Sequence, residues 1–237
     1  MEDDNICLPA DTMAILQQFL AEKAQREQEE MQKVEQKAGK DAEFEEDWQL
    51  SQFWYSAKTK QTLGSVVSQL VQASNENSKG YKVALLSCPS LYGTIKEIHE
   101  NVNIFEYDKR FSAYGDDFVF YEFNEADTTD YLKSLWQSYD LIIADPPFLS
   151  EECITKISKI IRNLLKPNAK IIFCSGEVVE QWLLPSLPGV KKCNFHPEHE
   201  RNLGNEFVSY ANFNLDDFIK HNKQILFIRF FGLRLEF

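Results

Sequence analysis

A chain of 237 residues can hold one large or two small domains around a real hydrophobic core, and 43% hydrophobic with 26% charged residues excludes a fibrous or globally disordered protein. The formal charge of −12 is uneven: the first fifty residues carry 14 Asp and Glu against 5 Lys and Arg, leaving 23 acids and 20 bases elsewhere, a balance that disfavours gripping nucleic acid by phosphate neutralisation. The 5 cysteines (Cys7, Cys88, Cys153, Cys174, Cys193) form no C-x-x-C pair, which argues against a disulfide framework; an acidic start and no window of roughly 18 apolar residues give neither signal peptide nor membrane span, so the expected location is cytoplasmic.

From Asp11, an N-cap residue type, Met13, Leu16, Leu20 and Ala24 recur at helical spacing; beyond Glu22 the pattern is charged on every side up to Gly39. The expectation is a helix that docks by its first turns, with Glu22–Arg26 and Glu29–Lys33 as supporting i,i+4 pairs. Residues 1–45 thus read as an acidic helical extension. The segment 47–56 packs Trp48, Phe53, Trp54 and Tyr55 together, a density that means burial against a domain or a platform for a planar ligand. Core packing is the commoner outcome, with Trp54 and Tyr55 the candidates for ligand contact. A helix over 59–72 and a polar loop over 74–80 follow.

After Lys82 short apolar runs at 82–88, 103–108, 118–123, 139–144 and 170–174 alternate with helical candidates at 91–100, 109–114, 128–137, 151–165 and 177–185. That alternation predicts an open, mostly parallel α/β sheet with helices on both faces. Runs at 190–195 and 206–213 are joined without a clear helix, so they predict a C-terminal antiparallel hairpin. Ligands of such sheets bind at the carboxyl ends of the strands.

The most informative peptide there is Asp145-Pro146-Pro147-Phe148, delivered by the fourth strand ahead of a helix beginning near Ser150. Two prolines stiffen the loop and remove two backbone donors, leaving an acceptor-rich corner beside an aromatic face. Such a corner suits an amine nucleophile, because acceptors gripping its N–H bonds aim the lone pair along a carbon–sulfur axis. Asp145 and the Pro146 carbonyl are the candidates for that grip, with Phe148 lining the channel or attracting an ammonium.

The loop after the first strand, Ser87-Cys88-Pro89, opens a helix but lacks G-x-G-x-x-G, which weighs against NAD or FAD and leaves S-adenosylmethionine compatible. Glu106 and Asp108 end the second strand on one face; Glu106 is the candidate acceptor for ribose hydroxyls, with Asp108 in support, although a solvated pairing with Lys109 or Arg110 is the simpler reading of the acids alone. Past the third strand Glu122 and Asn124 could meet an adenine edge. Cys193, His196 and His199 look ligand-like but offer no fourth member at zinc spacing, so no metal is expected. Cys88 has no His partner for nucleophilic work and reads as a small packing residue.

Together Q-F-W-Y-S at 52–56, S-C-P-S at 87–90, F-E-Y-D-K-R-F at 105–111, A-D-P-P-F at 144–148 and N-L-G-N-E-F at 202–207 resemble the eukaryotic elongation factor 1-alpha lysine methyltransferase family, once described as N6-adenine-specific DNA methyltransferases for the D-P-P-[YF] motif. The resemblance runs from about residue 8 to 213. It implies a class I methyltransferase fold over 46–213, S-adenosylmethionine as cofactor, and a protein partner, the elongation factor, methylated on lysine. It carries Asp145, Pro146, Pro147 and Phe148 over as the amine corner, and Ser87, Cys88, Pro89, Glu106 and Asp108 as cofactor contacts. Phe148 stands where many relatives have Tyr. Residues 214–237 depart from the pattern as an apolar tail. Two rival expectations remain: an N6-adenine methyltransferase acting on a flipped base, and a catalytically silent interaction module using the acidic helix.

Overall fold

The computed structural model describes residues 12–22, 25, 44–74, 80–201, 203, 204 and 206–220. The first long helix, α1 (Ala57–Ala73), starts where the Ser56 side chain accepts from the Thr59 N–H. Its buried Leu63, Val66, Val67 and Leu70 make one apolar stripe. Seven strands follow in chain order: β1 (Val83–Leu86), β2 (Val102–Glu106), β3 (Phe118–Phe120), β4 (Tyr139–Ala144), β5 (Leu165–Gly176), β6 (Lys191–Lys192) and β7 (Phe207–Ala211). They form one sheet in the order β3-β2-β1-β4-β5-β7-β6. The first five run parallel, and β7 lies antiparallel to both β5 and β6. The mostly parallel sheet with a C-terminal antiparallel hairpin is therefore present as expected.

Central strands are apolar on both faces because helices cover both. Leu85, Ile104, Leu141 and Ile143 pack with α1 and with α2 (Tyr92–Ile98). The alternate residues Ala84, Leu86, Phe105 and Ile142 pack with α3 (Glu151–Leu164) and α4 (Glu180–Ser186). Strand order reverses between β1 and β4, so the two chains leaving their carboxyl ends diverge and open a crevice.

Two expectations differ from the structure. The helix read over 128–137 is a set of short turns, including Lys133–Leu135, with Leu132 (φ 53) and Gln137 (φ 49) in the left-handed region that breaks a helix. The helix over 12–22 is present, yet Met13, Leu16 and Leu20 are exposed rather than docked; Asp11, Ala24 and the pairs Glu22–Arg26 and Glu29–Lys33 lie outside the described residues. Of the apolar tail read from 214, Leu215 is buried and Phe218 packs on the core, and residues 221–237 lie outside the described ones. Ile143 sits fully buried at the centre of the sheet, and Ile143→Ala is expected to lower unfolding stability by about 2–5 kcal/mol in denaturant titrations.

Candidate active site

The crevice at the ends of β1, β2 and β4 holds a cavity of ≈ 470 Å³, within the roughly 300–1,000 Å³ of small-molecule sites. Its walls come from each predicted strand-end loop: Ser87 and Pro89 after β1, Glu106 and Asp108 at β2, Glu122 and Asn124 after β3, and Asp145–Phe148 after β4.

Asp145 continues β4 by one residue, donating its N–H to Leu86 O at 3.0 Å. Pro146 and Pro147 then carry the chain across the cavity mouth until Ser150 caps α3, its Oγ accepting from Cys153 N at 3.3 Å. Leu149 anchors the elbow against the end of β5, where a Cβ on Gly176 would fall 3.0 Å from the Leu149 side chain. The Asp145 side chain is 12% exposed, and burial raises its carboxyl pKa, with His199 and Tyr55 holding it down in part. Phe148 stands at the rim, half open to solvent, its ring T-shaped against Phe123 at 5.9 Å.

On the other side, Ser87 turns the chain out of β1 with φ 54, a conformation that costs a residue with a Cβ about 1–3 kcal/mol. Its N–H is fixed on Phe105 O at 3.0 Å. Glu106 is buried, and its carboxylate accepts from the Tyr107 N–H at 3.0 Å. Burial, with Asp108 nearby, pushes the Glu106 carboxyl up to about 8. Asp108 serves the framework: it accepts from Gln52 Nε2 at 3.0 Å and Arg110 Nε at 2.8 Å. Glu122 likewise accepts from the Asn124 N–H at 3.0 Å, and Asn124 Oδ1 accepts from Lys156 Nζ at 3.1 Å, so these side chains shape the far wall while committed to local partners.

Three predicted contacts stand behind the wall. Cys88 is buried with its Sγ on Ile143 O at 3.4 Å, and burial raises its thiol pKa. Trp54 donates from its indole to Phe44 O at 3.0 Å and packs edge-on to Phe111. Tyr55 is fully buried. The residues of that segment which reach the cavity are the preceding Gln49–Phe53. Sequence reading also missed His199 and Leu203 from the β6–β7 connection and Phe207 at the start of β7. That loop is stitched to the aromatic segment: Ser56 N–H donates to Glu198 O and Glu200 N–H to Trp54 O, each at 2.8 Å. Sequence spacing marks His199 only as a ligand-like neighbour of Cys193 and His196; His196 turns to Glu206 at 3.4 Å, and among the described residues no three such side chains gather.

Glu106, Asp108, Glu122 and Asp145 line the cavity, and no Lys or Arg does among the described residues. A nucleoside carrying a positive charge fits these donors and acceptors. Glu106 is a buried acceptor at the place for a ribose diol, and the acidic walls suit a sulfonium. S-Adenosylmethionine meets both conditions; Glu106 would hold its ribose and the Ser87 turn would face its amino-acid end. Diol hydroxyls donating to Glu106 favour its charged form, so binding expels a proton. The cofactor Kd should therefore fall as pH rises from 6 toward about 8 and level off above it, with Glu106→Gln abolishing the slope in calorimetry. Ser87→Gly should bind as the parent does, whereas Ser87→Val should destabilise the loop and weaken binding at least about tenfold.

A family model described as "Probable N6-adenine methyltransferase" matches residues 46–215. A protein-lysine N-methyltransferase of Drosophila melanogaster is 60% identical, over 92% of this chain and 99% of its own length. EEF1A lysine methyltransferase 1 of Homo sapiens is 40% identical, over 90% of this chain and 94% of its own. A more distant likeness is a TehB-like SAM-dependent methyltransferase structure from Corynebacterium glutamicum: 15% identity, TM-score 0.41, 62% of this chain and 85% of that one. By the family match and these identities the chain belongs to the eukaryotic elongation factor 1-alpha lysine methyltransferase family, whose family model bears the N6-adenine description.

Proposed function

We propose that this chain transfers a methyl group from S-adenosylmethionine to the side-chain nitrogen of a lysine in a protein, with elongation factor 1-alpha as substrate and the cytoplasm as its place of action. The observation that carries this reading is the Asp145–Phe148 elbow at the mouth of a cavity walled by four carboxylates and no Lys or Arg among the described residues. Both reactants arrive as cations, a sulfonium and an ammonium. Acidic walls offset their mutual repulsion and repel a phosphate backbone, which weighs against the adenine reading that the family description carries. The names of the lysine methyltransferase relatives support the protein substrate and the elongation factor. No helix among the described residues is long and apolar enough to cross a membrane.

A lysine attacks only as the neutral amine, and two features of the elbow promote that form. The apolar rim of Phe148, Phe123 and Leu149 desolvates the ammonium, which lowers its pKa, and the Asp145 carboxylate takes an N–H. The Pro146 carbonyl accepts a second N–H, so the lone pair is left pointing inward. When bound, S-adenosylmethionine would supply a methyl carbon on a positively charged sulfur; the chain orients the amine, and the ammonium proton leaves to water before attack. Phe148 packs along the lysine stem, a task its ring performs without the hydroxyl of Tyr.

Asp145→Ala should lower methyl transfer by about 100-fold or more while cofactor binding, read by calorimetry, stays within a few-fold; unchanged turnover would remove Asp145 from the mechanism. Incubation of the protein with labelled S-adenosylmethionine and a cell lysate should place label on a protein of elongation-factor size that protease removes and nuclease does not. Nuclease-sensitive label would establish the adenine reading instead.

A further inference from the structure

His199 reaches the cavity from the β6–β7 connection with its side chain 4% exposed, and its Nε2 lies 3.9 Å from Asp145 Oδ2. The ring is held on two sides: Tyr55 lies against it at 5.0 Å with an interplanar angle of 35°, and Phe207 meets it edge-on at 4.5 Å. An antiparallel bridge between the backbones of Tyr55 and His199 fixes the ring's depth. Its neighbours Glu198 and Glu200 turn outward to Lys58 and Lys60, so of these three consecutive residues His199 is the one directed into the site. At 3.9 Å an imidazole nitrogen is beyond a normal hydrogen bond yet close enough for strong charge coupling in a desolvated pocket, and a small shift of the carboxyl closes the gap.

We propose that His199 is a positioning residue of the methyl-transfer site, keeping the Asp145 carboxyl ionised and aimed at the substrate amine. The inference rests on the reading that this cavity methylates lysine. The charged carboxylate grips an amine N–H most strongly, whereas the protonated acid is a weaker acceptor and adds an O–H that competes for the amine lone pair, and the surroundings of Asp145 oppose that charge. Burial raises its pKa, and the groups that pull it back are His199 and the Tyr55 hydroxyl. The buried thiols of Cys88, after β1, and Cys174, on β5, stand close enough to couple to Asp145 but supply no cation. The Tyr55 hydroxyl, from the segment before α1, makes no hydrogen bond of normal geometry. Tyr55 and His199 are thus the two donors facing Asp145, neither in a hydrogen bond of normal geometry, and His199 is the one whose ring is clamped on two sides, which sets the direction of its N–H.

The test uses the full chain with two substitutions: His199→Phe fills the slot between Tyr55 and Phe207 without a donor, and His199→Gln keeps a donor. The midpoint of Asp145 ionisation is followed by carboxyl carbon NMR in protein without cofactor, and the pH dependence of kcat is followed by methyl transfer to a lysine-containing protein substrate. His199→Phe should move the Asp145 midpoint and the acidic limb of kcat upward by about one pH unit, lowering kcat about tenfold on that limb, with KM for S-adenosylmethionine within about twofold. His199→Gln should restore most of both. A midpoint that stays put in His199→Phe, or a Gln variant as impaired as Phe, overturns the role. If His199→Phe loses the parent thermal transition, His199→Met takes its place as the donor-free variant under the same criteria. Absence of any lysine methylation by the parent would sink the functional reading while the NMR midpoint still decides the His199–Asp145 coupling.

Discussion

A carboxyl group taken out of water loses hydration worth several kcal/mol and keeps its charge only where dipoles or cations replace that loss. This protein buries Glu106 and most of Asp145 in one cavity whose described wall contains no Lys or Arg. Without a ligand Glu106 meets that cost by keeping its proton below about pH 8, and a positively charged ligand favours its charged form, so binding supplies the compensation that the fold withholds. The rest of the structure holds those groups apart and in place. A parallel sheet sealed on both faces fixes the β1, β2 and β4 ends, and prolines, a left-handed Ser87 and the Gly176–Leu149 contact stiffen the loops.

The two ends of the cavity are coupled through the chain segment that covers it. Gln52 donates to Asp108, which also holds Arg110, and the Arg110 guanidinium returns to Gln52 Oε1 at 3.2 Å. The same segment carries Trp54 and Tyr55 behind the wall and bonds through its backbone to the β6–β7 connection. Residues before the sheet and residues near its end thus enclose a site whose floor is made by the strands between them. An acid such as Asp108, which sequence spacing offers as a ligand contact, is better described as the buckle that holds this cover to β2.

Much of this was legible in the sequence where a periodic signal met a topological rule. Alternating apolar runs and amphipathic stretches located five parallel strands, and the rule that ligands meet strand ends brought Ser87, Glu106 and Asp145 to one cavity wall. The rest was hidden for physical reasons. Aromatic density at 47–56 signals burial but not which side faces a ligand, so it points to Trp54 and Tyr55 where Gln52 and Phe53 line the wall. Cys88 occupies the right loop with its thiol turned into the core. His199 is brought to Asp145 by a backbone bridge between distant segments, which leaves no local pattern. The stretch 128–137 lost its helix to two left-handed residues that composition does not mark.

The stitching between the aromatic segment and the β6–β7 connection has a consequence for how the cavity responds to solution conditions. The exposed pairs Lys58–Glu198 and Lys60–Glu200 weaken as ions screen them. The main-chain bonds Ser56–Glu198 and Glu200–Trp54, with the Thr59 hydroxyl on Glu198 O at 2.9 Å, carry no net charge. Raising ionic strength therefore leaves the enclosure shut, and only agents that compete for amide groups, such as urea, unfasten it.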